Sequence, residues 1–159
     1  MTPVSRSAEL VRRLTERGET LACAESLTAG LVAATIADTP GASLVLRGGI
    51  IAYAADVKVA LLGVPDELLA RVGTVDPEVA AIMAQQVRER LCATWGLATT
   101  GVAGPGPAEG KPAGTVHVAV AGPQGTRTMD LALQGSRGQV RAETVREVLA
   151  LVVAALGPE

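Results

Sequence analysis

The segment TLACAESLTAG, residues 20–30, marks a change from strand to helix around which the rest of the chain is arranged. Its first half is a short apolar run typical of a buried strand, and its second half begins a helical spacing that continues to Asp38. Glu25, Ser26 and Leu27 are therefore predicted on the turn between a strand's carboxyl end and a helix. In open α/β sheets ligands bind at this edge, and a helix amino terminus offers N–H groups to an anion. Ser26 is consistent with a nucleophile, but the segment by itself favours an ordinary helix cap.

Apolar periodicity predicts the other elements of the fold. Predicted helices, with apolar residues at helical spacing, span 7–17, 28–38, 56–62, 65–72, 77–93 and 136–156, with Asp56 and Asp76 as caps. Predicted strands span 20–24, 44–53, 97–100, 116–121 and 128–133, with a bulge or close backbone approach at Gly48-Gly49. The last two strands are predicted to form a hairpin. We therefore predict one α/β domain over residues 1–159, a three-layer α/β/α sandwich with a mixed, mostly parallel sheet.

The composition argues against a nucleic-acid binder. Hydrophobic residues make up 48% of the chain, yet there is no Phe, one Trp and one Tyr, so the core must be aliphatic. Bases of a single strand would have almost no aromatic surface on which to stack. The net charge of −2 also differs from the basic footprint of nucleic-acid-binding proteins.

The sequence predicts a cytoplasmic protein without a membrane partner. Cys23 and Cys92 lie in apolar settings and are interpreted as reduced thiols rather than a disulfide. The first 19 residues are charged and lack the apolar core of a signal peptide, and no apolar run reaches membrane-spanning length. The high apolar content of so small a domain predicts a homo-oligomer, namely a dimer.

His117 is the only histidine, and it lies in the middle of a predicted strand. A lone histidine in a strand is more often structural than catalytic. A Ser–His–Asp triad stays open as an interpretation, but with weak support. One histidine and two separated cysteines do not make a zinc set, so neither a metal nor another cofactor is expected.

Without a histidine, Ser26 needs another base, and a lysine serves where its surroundings lower its pKa. The chain has two lysines, Lys58 and Lys111. Lys58 lies in the first turns of a helix directly after the second strand, which Tyr53 ends. Burial and a nearby positive group, for which Arg137 is a candidate, would lower the pKa of Lys58. The alternatives are a solvated helix face for Lys58 and an ordinary strand-end aromatic for Tyr53.

Two glycine-containing segments are further candidates for ligand contact. TTGVAGPGP, residues 99–107, follows a buried strand, and its glycines and prolines shape a backbone that can approach a ligand closely. GSRGQVR, residues 135–141, places Arg137 and Arg141 in the first turns of the last helix. Arginine there opposes the helix dipole, which an anionic ligand would explain, although a solvated surface position fits equally well.

Taken together, these segments resemble the C-terminal domain of the CinA family, which also occurs as a free-standing nicotinamide-nucleotide amidohydrolase. The resemblance covers about residues 7 to 156. The matching segments are AESLTAG (24–30), RGGIIAYAADVK (47–58), LLGVP (61–65), TTGVAGPGP (99–107), KPAGTV (111–116) and GSRGQVR (135–141). The chain departs from the usual family pattern at Ala29, at Ala54-Ala55 and at Pro107-Ala108-Glu109, where the family commonly has an Asp-Gly-Gly type of sequence.

The resemblance implies that the protein hydrolyses the carboxamide of nicotinamide mononucleotide to nicotinate mononucleotide and ammonia, in pyridine-nucleotide recycling. It implies that Ser26 attacks the amide carbon, that neutral Lys58 takes its proton and that Tyr53 tunes Lys58 by a hydrogen bond. Thr100, with backbone N–H groups near Ser26 and Gly101, would hold the developing oxyanion. The implied substrate-binding residues are Thr28, Gly30, Gly101, Gly104, Arg137 and Arg141.

Two other functions stay open at this point. The first is a non-catalytic nucleotide-binding module linked to competence or the DNA-damage response, which would use the same glycine-rich loop and arginines. A binding module has no reason to need both Ser26 and Lys58, so this pair separates the two hypotheses. The second is an amidase or esterase that acts on some other small substrate.

Overall fold

The structure, a computed structural model, describes residues 2–159 and, for residues 3–5, the backbone alone. Its described part forms six α-helices, five strands and a short 3₁₀ turn at Ala42–Leu44. In chain order the helices and strands are α1 Pro3–Arg17, β1 Leu21–Glu25, α2 Leu31–Ala37, β2 Leu46–Ile51, α3 Ala55–Leu62, α4 Asp66–Val72, α5 Pro77–Arg90, β3 Trp95–Gly101, β4 Thr115–Gly122, β5 Gly125–Ala132 and α6 Arg137–Ala155. Every predicted helix and strand is present, with boundaries that shift by a few residues.

The five strands form one mixed sheet in the order β2-β1-β3-β4-β5. β1 runs parallel to β2 and β3, whereas β4 runs antiparallel to β3 and β5. The predicted α/β class and mixed sheet are confirmed, but "mostly parallel" is only partly right, since half of the strand pairs are antiparallel. Parallel neighbours need a long crossover, usually a helix. The segment 102–114 contains no helix, so the chain returns from β3 antiparallel.

The two faces of the sheet carry side chains of different size. One face bears larger residues such as Leu21, Leu97 and Val118 and packs under α1, α2 and α6. The other face packs under α3, α4 and α5, and its buried apolar residues on β1, β3 and β4 are alanines. Small side chains let α5 approach closely: a Cβ at Gly96 would lie 2.1 Å from the carbonyl oxygen of Ala84. The sheet is thus the middle layer of the predicted sandwich.

Two local predictions are corrected by the structure. α2 begins at Leu31 rather than Thr28, because Ala29 and Gly30 adopt positive φ angles of 49° and 96° and turn the chain first. Asp56 lies in the first turn of α3, which has no side-chain cap. The predicted cap of α5 is confirmed, since the Asp76 side chain accepts a hydrogen bond from the backbone N–H of Glu78.

The predicted irregularity of the second strand is also present. The register of β1 and β2 shifts between Leu21 and Ala22, whose partners are Leu46 and Gly48. At Gly49 the backbone comes close to β1, and a Cβ there would lie 3.0 Å from the Cys23 carbonyl oxygen. This edge strand therefore lies tight against β1 where both lead into the loops described below.

Trp95 closes the amino end of β3. The side chain is 6% exposed, and its indole N–H donates to Glu19 Oε2 at 2.7 Å. The ring lies against Gly122, where a Cβ would come within 2.2 Å of it. At the opposite end of β1 and β3, Glu25 pairs with Thr99, so the loops that follow these strands begin side by side. In the described part of the chain, no helix combines the length and apolarity needed to span a bilayer.

Candidate active site

A pocket of about 230 Å³ opens at the carboxyl ends of β1 and β3. Its walls come from the turn after β1, the loop after β2, the α4–α5 connection, the 102–114 loop and the start of α6. Residues from each of these segments contribute to the lining, among them Ser26, Tyr53, Thr74, Gly104, Glu109 and Arg137. The pocket lies where open α/β sheets place their ligands.

Ser26 and Lys58 meet beneath this pocket. Lys58 Nζ lies 3.0 Å from Ser26 Oγ, 2.7 Å from the carbonyl oxygen of Ala52 and 3.0 Å from that of Tyr53. The Lys58 side chain is fully buried, and Ser26 is 8% exposed. A neutral amine has two N–H donors and one lone pair. With two carbonyls to accept its N–H groups, neutral Lys58 directs its lone pair toward the hydroxyl of Ser26.

Burial lowers the pKa of Lys58 from the ordinary 10.5 to about 8. The charge that acts on Lys58 is the carboxylate of Glu109, which opposes this shift. Of the two causes predicted from the sequence, burial is therefore the one that lowers the pKa, and Arg137 does not contribute. With this pKa, roughly a tenth of Lys58 is neutral at pH 7, far more than for a lysine at its ordinary pKa.

The turn that carries Ser26 is fixed by its backbone and by Glu25. The N–H of Ser26 donates to the Thr99 carbonyl at 3.0 Å. The buried carboxylate of Glu25 accepts from the N–H groups of Val32 at 2.8 Å and Ala33 at 3.1 Å, in the first turn of α2. These N–H groups are thus used by the protein's own carboxylate and are not free for a ligand, contrary to the sequence expectation.

Glu25 was missed as a site residue from the sequence. The available signal was a carboxylate at the end of a buried strand, because a buried charge requires partners. By contrast, Leu27 lines the pocket, and its backbone N–H has no hydrogen-bond partner among the described residues. This N–H directly follows Ser26 and offers a donor to a group that reacts there.

Three of the predicted site residues shape the serine turn or its surroundings without lining the pocket. The hydroxyl of Thr28 is buried against that of Thr99, 2.8 Å away, and Gly30 supplies the positive φ before α2. Arg141 donates through Nε to the Leu27 carbonyl and through Nη2 to the Thr28 carbonyl, both at 2.9 Å. Arg141 thus holds the turn in place.

The hydroxyl of Thr100 is bonded elsewhere and does not take the predicted oxyanion role. Its buried hydroxyl donates to the Thr74 carbonyl at 2.7 Å and so fastens the α4–α5 connection to β3. The next residue, Gly101, does line the pocket. A Cβ at Gly101 would lie 2.7 Å from the Val116 side chain, so close packing against β4 explains the glycine.

Arg137 and Tyr53 meet at the rim of the pocket. Arg137 Nη1 donates to the Gly104 carbonyl and Nη2 to the Tyr53 hydroxyl, both at 2.7 Å. The contact between Tyr53 and Lys58 is therefore made by the main-chain carbonyl, whereas the tyrosine hydroxyl faces the arginine. The sequence prediction that Tyr53 tunes Lys58 is corrected in this respect.

Glu109 is the second residue missed by sequence reasoning. Its carboxylate accepts from the Thr74 hydroxyl at 2.7 Å, the Thr74 N–H at 3.0 Å and the Val75 N–H at 3.1 Å. Burial works to raise the pKa of Glu109, but these hydrogen bonds and the Lys111 charge outweigh it, so the pKa lies below the usual 4.5. No local signal marked Glu109, because its partners lie some 35 residues earlier in the chain.

His117 lies outside this arrangement. Its Nδ1 makes a 2.7 Å contact with Asp130 Oδ1 across the β4–β5 pair, and it does not line the pocket. Among the residues that the structure describes, no three His, Cys, Asp or Glu side chains group in a way that could hold a metal ion.

Together, the fold and the pocket define an α/β sandwich with a buried serine–lysine pair at the carboxyl edge of its sheet. The chain matches the family model of the CinA C-terminal domain over residues 4–156, and it belongs to that family.

Curated relatives share this region at high identity. A CinA-like protein of Frankia casuarinae is 53% identical over 139 residues, which are 87% of this chain and 32% of that protein. A CinA-like protein of Anaeromyxobacter dehalogenans is 48% identical over 148 residues, 92% of this chain and 36% of that protein. The chain thus spans about a third of the length of these relatives.

Solved structures show the same fold over nearly the whole chain. The competence/damage inducible protein CihA from Agrobacterium tumefaciens is 31% identical, with a TM-score of 0.93 over 98% of this chain and 96% of that one. A competence-damaged protein (CinA) superfamily protein from Enterobacter cloacae is 29% identical, with a TM-score of 0.96 over 99% and 94%.

Proposed function

We propose that the protein is an amidohydrolase that converts nicotinamide mononucleotide and water to nicotinate mononucleotide and ammonia. The observation that carries the proposal is the 3.0 Å contact between Ser26 Oγ and the buried Lys58 Nζ beneath an open pocket. A serine activated by a neutral lysine is an established type of nucleophile for amide bonds. The choice of substrate rests on the resemblance to nucleotide amidohydrolases of the CinA family.

In the first half of the reaction, Ser26 Oγ attacks the carboxamide carbon while Lys58 takes the hydroxyl proton. The carbonyls of Ala52 and Tyr53 keep the amine oriented during this transfer. Protonated Lys58 then gives the proton to the departing nitrogen, so ammonia leaves and an ester to Ser26 remains. In the second half, Lys58 deprotonates a water that attacks the ester carbon. As the bond to Ser26 breaks, protonated Lys58 returns the proton to Ser26 Oγ, and nicotinate mononucleotide is released.

The backbone N–H of Leu27 is the donor we assign to the oxyanion. A preorganised N–H directed at developing negative charge contributes about 3–4 kcal/mol to catalysis in comparable sites. The N–H of the residue after a nucleophilic serine serves this purpose in other hydrolases. The unused N–H of Leu27 fits that role better than the hydroxyl of Thr100, which is engaged with Thr74.

Arg137 is the residue we assign to the phosphate. It lies at the pocket rim, and its hydrogen bonds to Gly104 and Tyr53 leave further guanidinium N–H groups for an anion. Gly104 and Gly101 line the same wall and allow the substrate to approach the backbone. We assign no direct substrate contact to Thr28, Gly30 or Arg141, which hold the serine turn.

A nucleotide-binding module without catalysis is the second candidate. The names of the solved relatives, which refer to competence and damage, favour it. Such a module would bind the nucleotide equally well with and without Ser26 or Lys58. We also propose, from the sequence, a cytoplasmic location and a homodimer. Gel filtration with light scattering tests the homodimer.

An ammonia-release assay separates these candidates. The wild type is expected to release ammonia from nicotinamide mononucleotide, faster than from nicotinamide riboside or free nicotinamide, in the presence of a metal chelator. Ser26→Ala is the matched control and should be inactive while still folded. Binding of the nucleotide without ammonia release by the wild type would favour the binding module. Activity that a chelator abolishes and a divalent ion restores would contradict the metal-free mechanism.

A further inference from the structure

The pocket above Ser26 carries two opposite charges. Of the described residues that line it, the charged ones are Arg137, on the start of α6, and Glu109, on the 102–114 loop. The rest of the lining is apolar, hydroxyl-bearing or glycine. A ligand in this pocket therefore meets one cation and one anion.

The negative charge of Glu109 is held in place. Three donors, the Thr74 hydroxyl and the N–H groups of Thr74 and Val75, bind its two oxygens. A carboxylate with so many donors is anionic at neutral pH and cannot swing away from an unsuitable ligand. The same carboxylate acts electrostatically on Lys58, so its field extends to the reacting pair.

We propose that Glu109 is a specificity-determining residue that selects substrates in which the carboxamide-bearing ring is positively charged. This inference rests on the proposed function and specifies its substrate class: N-substituted pyridinium carboxamides with an anionic tail, in preference to neutral aromatic amides. The cationic ring is stabilised by Glu109, and the anionic tail by Arg137. A pyridinium nucleotide carries these two charges at its two ends, in the same combination as the pocket.

The alternative is that Glu109 only anchors its loop to the α4–α5 connection. An anchor affects every ligand of the pocket alike, whereas a charge acts on a cationic ring far more than on a neutral ring of the same shape. Nicotinamide mononucleotide and its dihydropyridine form provide this pair, because both carry the carboxamide, the ribose and the phosphate. The ring is cationic in the first and neutral in the second.

The test measures dissociation constants of both forms by calorimetry in a Ser26→Ala background, which prevents turnover. Addition of Glu109→Gln is expected to weaken binding of the cationic form about tenfold and binding of the dihydro form less than about twofold, as loss of one nearby charge predicts. Glu109→Asn is the second neutral variant, because asparagine tolerates the φ of 53° at this position. Glu109→Asp should restore most of the preference.

Thr74→Val is the matched control. It removes one donor to Glu109 without any change of charge, so both ligand forms should respond by the same factor. Equal weakening of both forms by folded Glu109→Gln and Glu109→Asn would overturn the inference and leave Glu109 as an anchor. Ammonia release by the wild type is measured separately. Its absence would refute the proposed function, whereas equal weakening with intact ammonia release refutes the selection by Glu109 alone.

Discussion

The two lysines of the chain make similar hydrogen bonds in different surroundings. Lys58 and Lys111 each donate to two main-chain carbonyls, those of Ala52 and Tyr53 for the first and those of Val72 and Val75 for the second. Lys58 is fully buried, and the remaining neighbour of its nitrogen is the Ser26 hydroxyl.

Lys111, in contrast, is half-buried, and its charge helps to lower the pKa of Glu109. The difference shows that two carbonyls do not by themselves make a lysine a base. Complete burial favours the neutral amine, and a hydroxyl beside that amine gives it a proton to take. Lys111 instead ties the 102–114 loop to the α4–α5 connection.

The two lysines should differ most when each is changed to methionine, which keeps the length and apolar character of the stem. Lys58→Met is expected to lower kcat for ammonia release by about 10³-fold or more, because it removes the base. Lys111→Met should stay within about tenfold of the wild type, since it removes only a loop contact. Steady-state ammonia release of both variants, with circular dichroism for folding, measures this difference.

A double variant sharpens the same test. Ser26→Ala with Lys58→Met should be no slower than either single variant, because the two residues act as a unit. A large loss in His117→Ala combined with near-normal activity of Lys58→Met would rule out the serine–lysine mechanism in favour of a histidine-based one.

The two arginines of α6 extend the contrast between ligand contact and support. Arg137→Ala should raise KM for nicotinamide mononucleotide about tenfold, as loss of a charge-assisted hydrogen bond of ~1.5–3 kcal/mol predicts. Arg141→Ala should instead lower kcat, because Arg141 holds the carbonyls of Leu27 and Thr28 beside the nucleophile. An unchanged KM in Arg137→Ala would make Arg137 a surface residue.

The pH dependence reports the environment of Lys58 alone. The active form has neutral Lys58, so kcat/KM should rise with pH and level off above the pKa of about 8. Glu109→Gln removes the charge that raises this pKa, and the rising limb should move to lower pH. A limb that stays near the ordinary lysine value of 10.5 would show that burial does not act as described.

The smallest expected effect concerns the stability of the Lys111 region. Lys111→Met leaves the Val72 and Val75 carbonyls without their donor and should lower the free energy of unfolding by about 1–2 kcal/mol. Urea unfolding of the variant and the wild type gives this value. An unchanged midpoint would mean that water replaces the ammonium group at no cost.

The sequence predicted the main parts of the fold and the site because their signals are local. Apolar periodicity predicted the helices and strands. The position of Ser26 directly after the first strand predicted that it lies at the carboxyl edge of the sheet, where the pocket opens. Sequence reasoning favoured Lys58 as the base because the chain has only two lysines and Lys58 lies in a helix directly after the second strand. The role of Thr100 could not be predicted, because it depends on a tertiary contact. Its hydroxyl donates to the carbonyl of Thr74, which lies 26 residues away in the sequence.

Glu109 illustrates what the sequence could not provide. Its segment reads as a polar loop, and nothing nearby indicates that the carboxylate meets the backbone of the α4–α5 connection. The antiparallel return of β4 brings that loop over the pocket, so the contact exists only once the sheet is assembled. Glu25, by contrast, carried a usable signal in its position at the end of a buried strand.

Trp95 has a practical consequence for spectroscopy. The chain contains one tryptophan and one tyrosine, and they lie at opposite ends of the sheet: Trp95 begins β3, whereas Tyr53 lines the pocket at the carboxyl ends of the strands. Tyr53 lines the pocket, whereas the indole of Trp95 is enclosed near Glu19 and Gly122. Tryptophan emission therefore reports unfolding, and tyrosine absorbance reports events at the pocket, so both signals can be followed in the unlabelled protein.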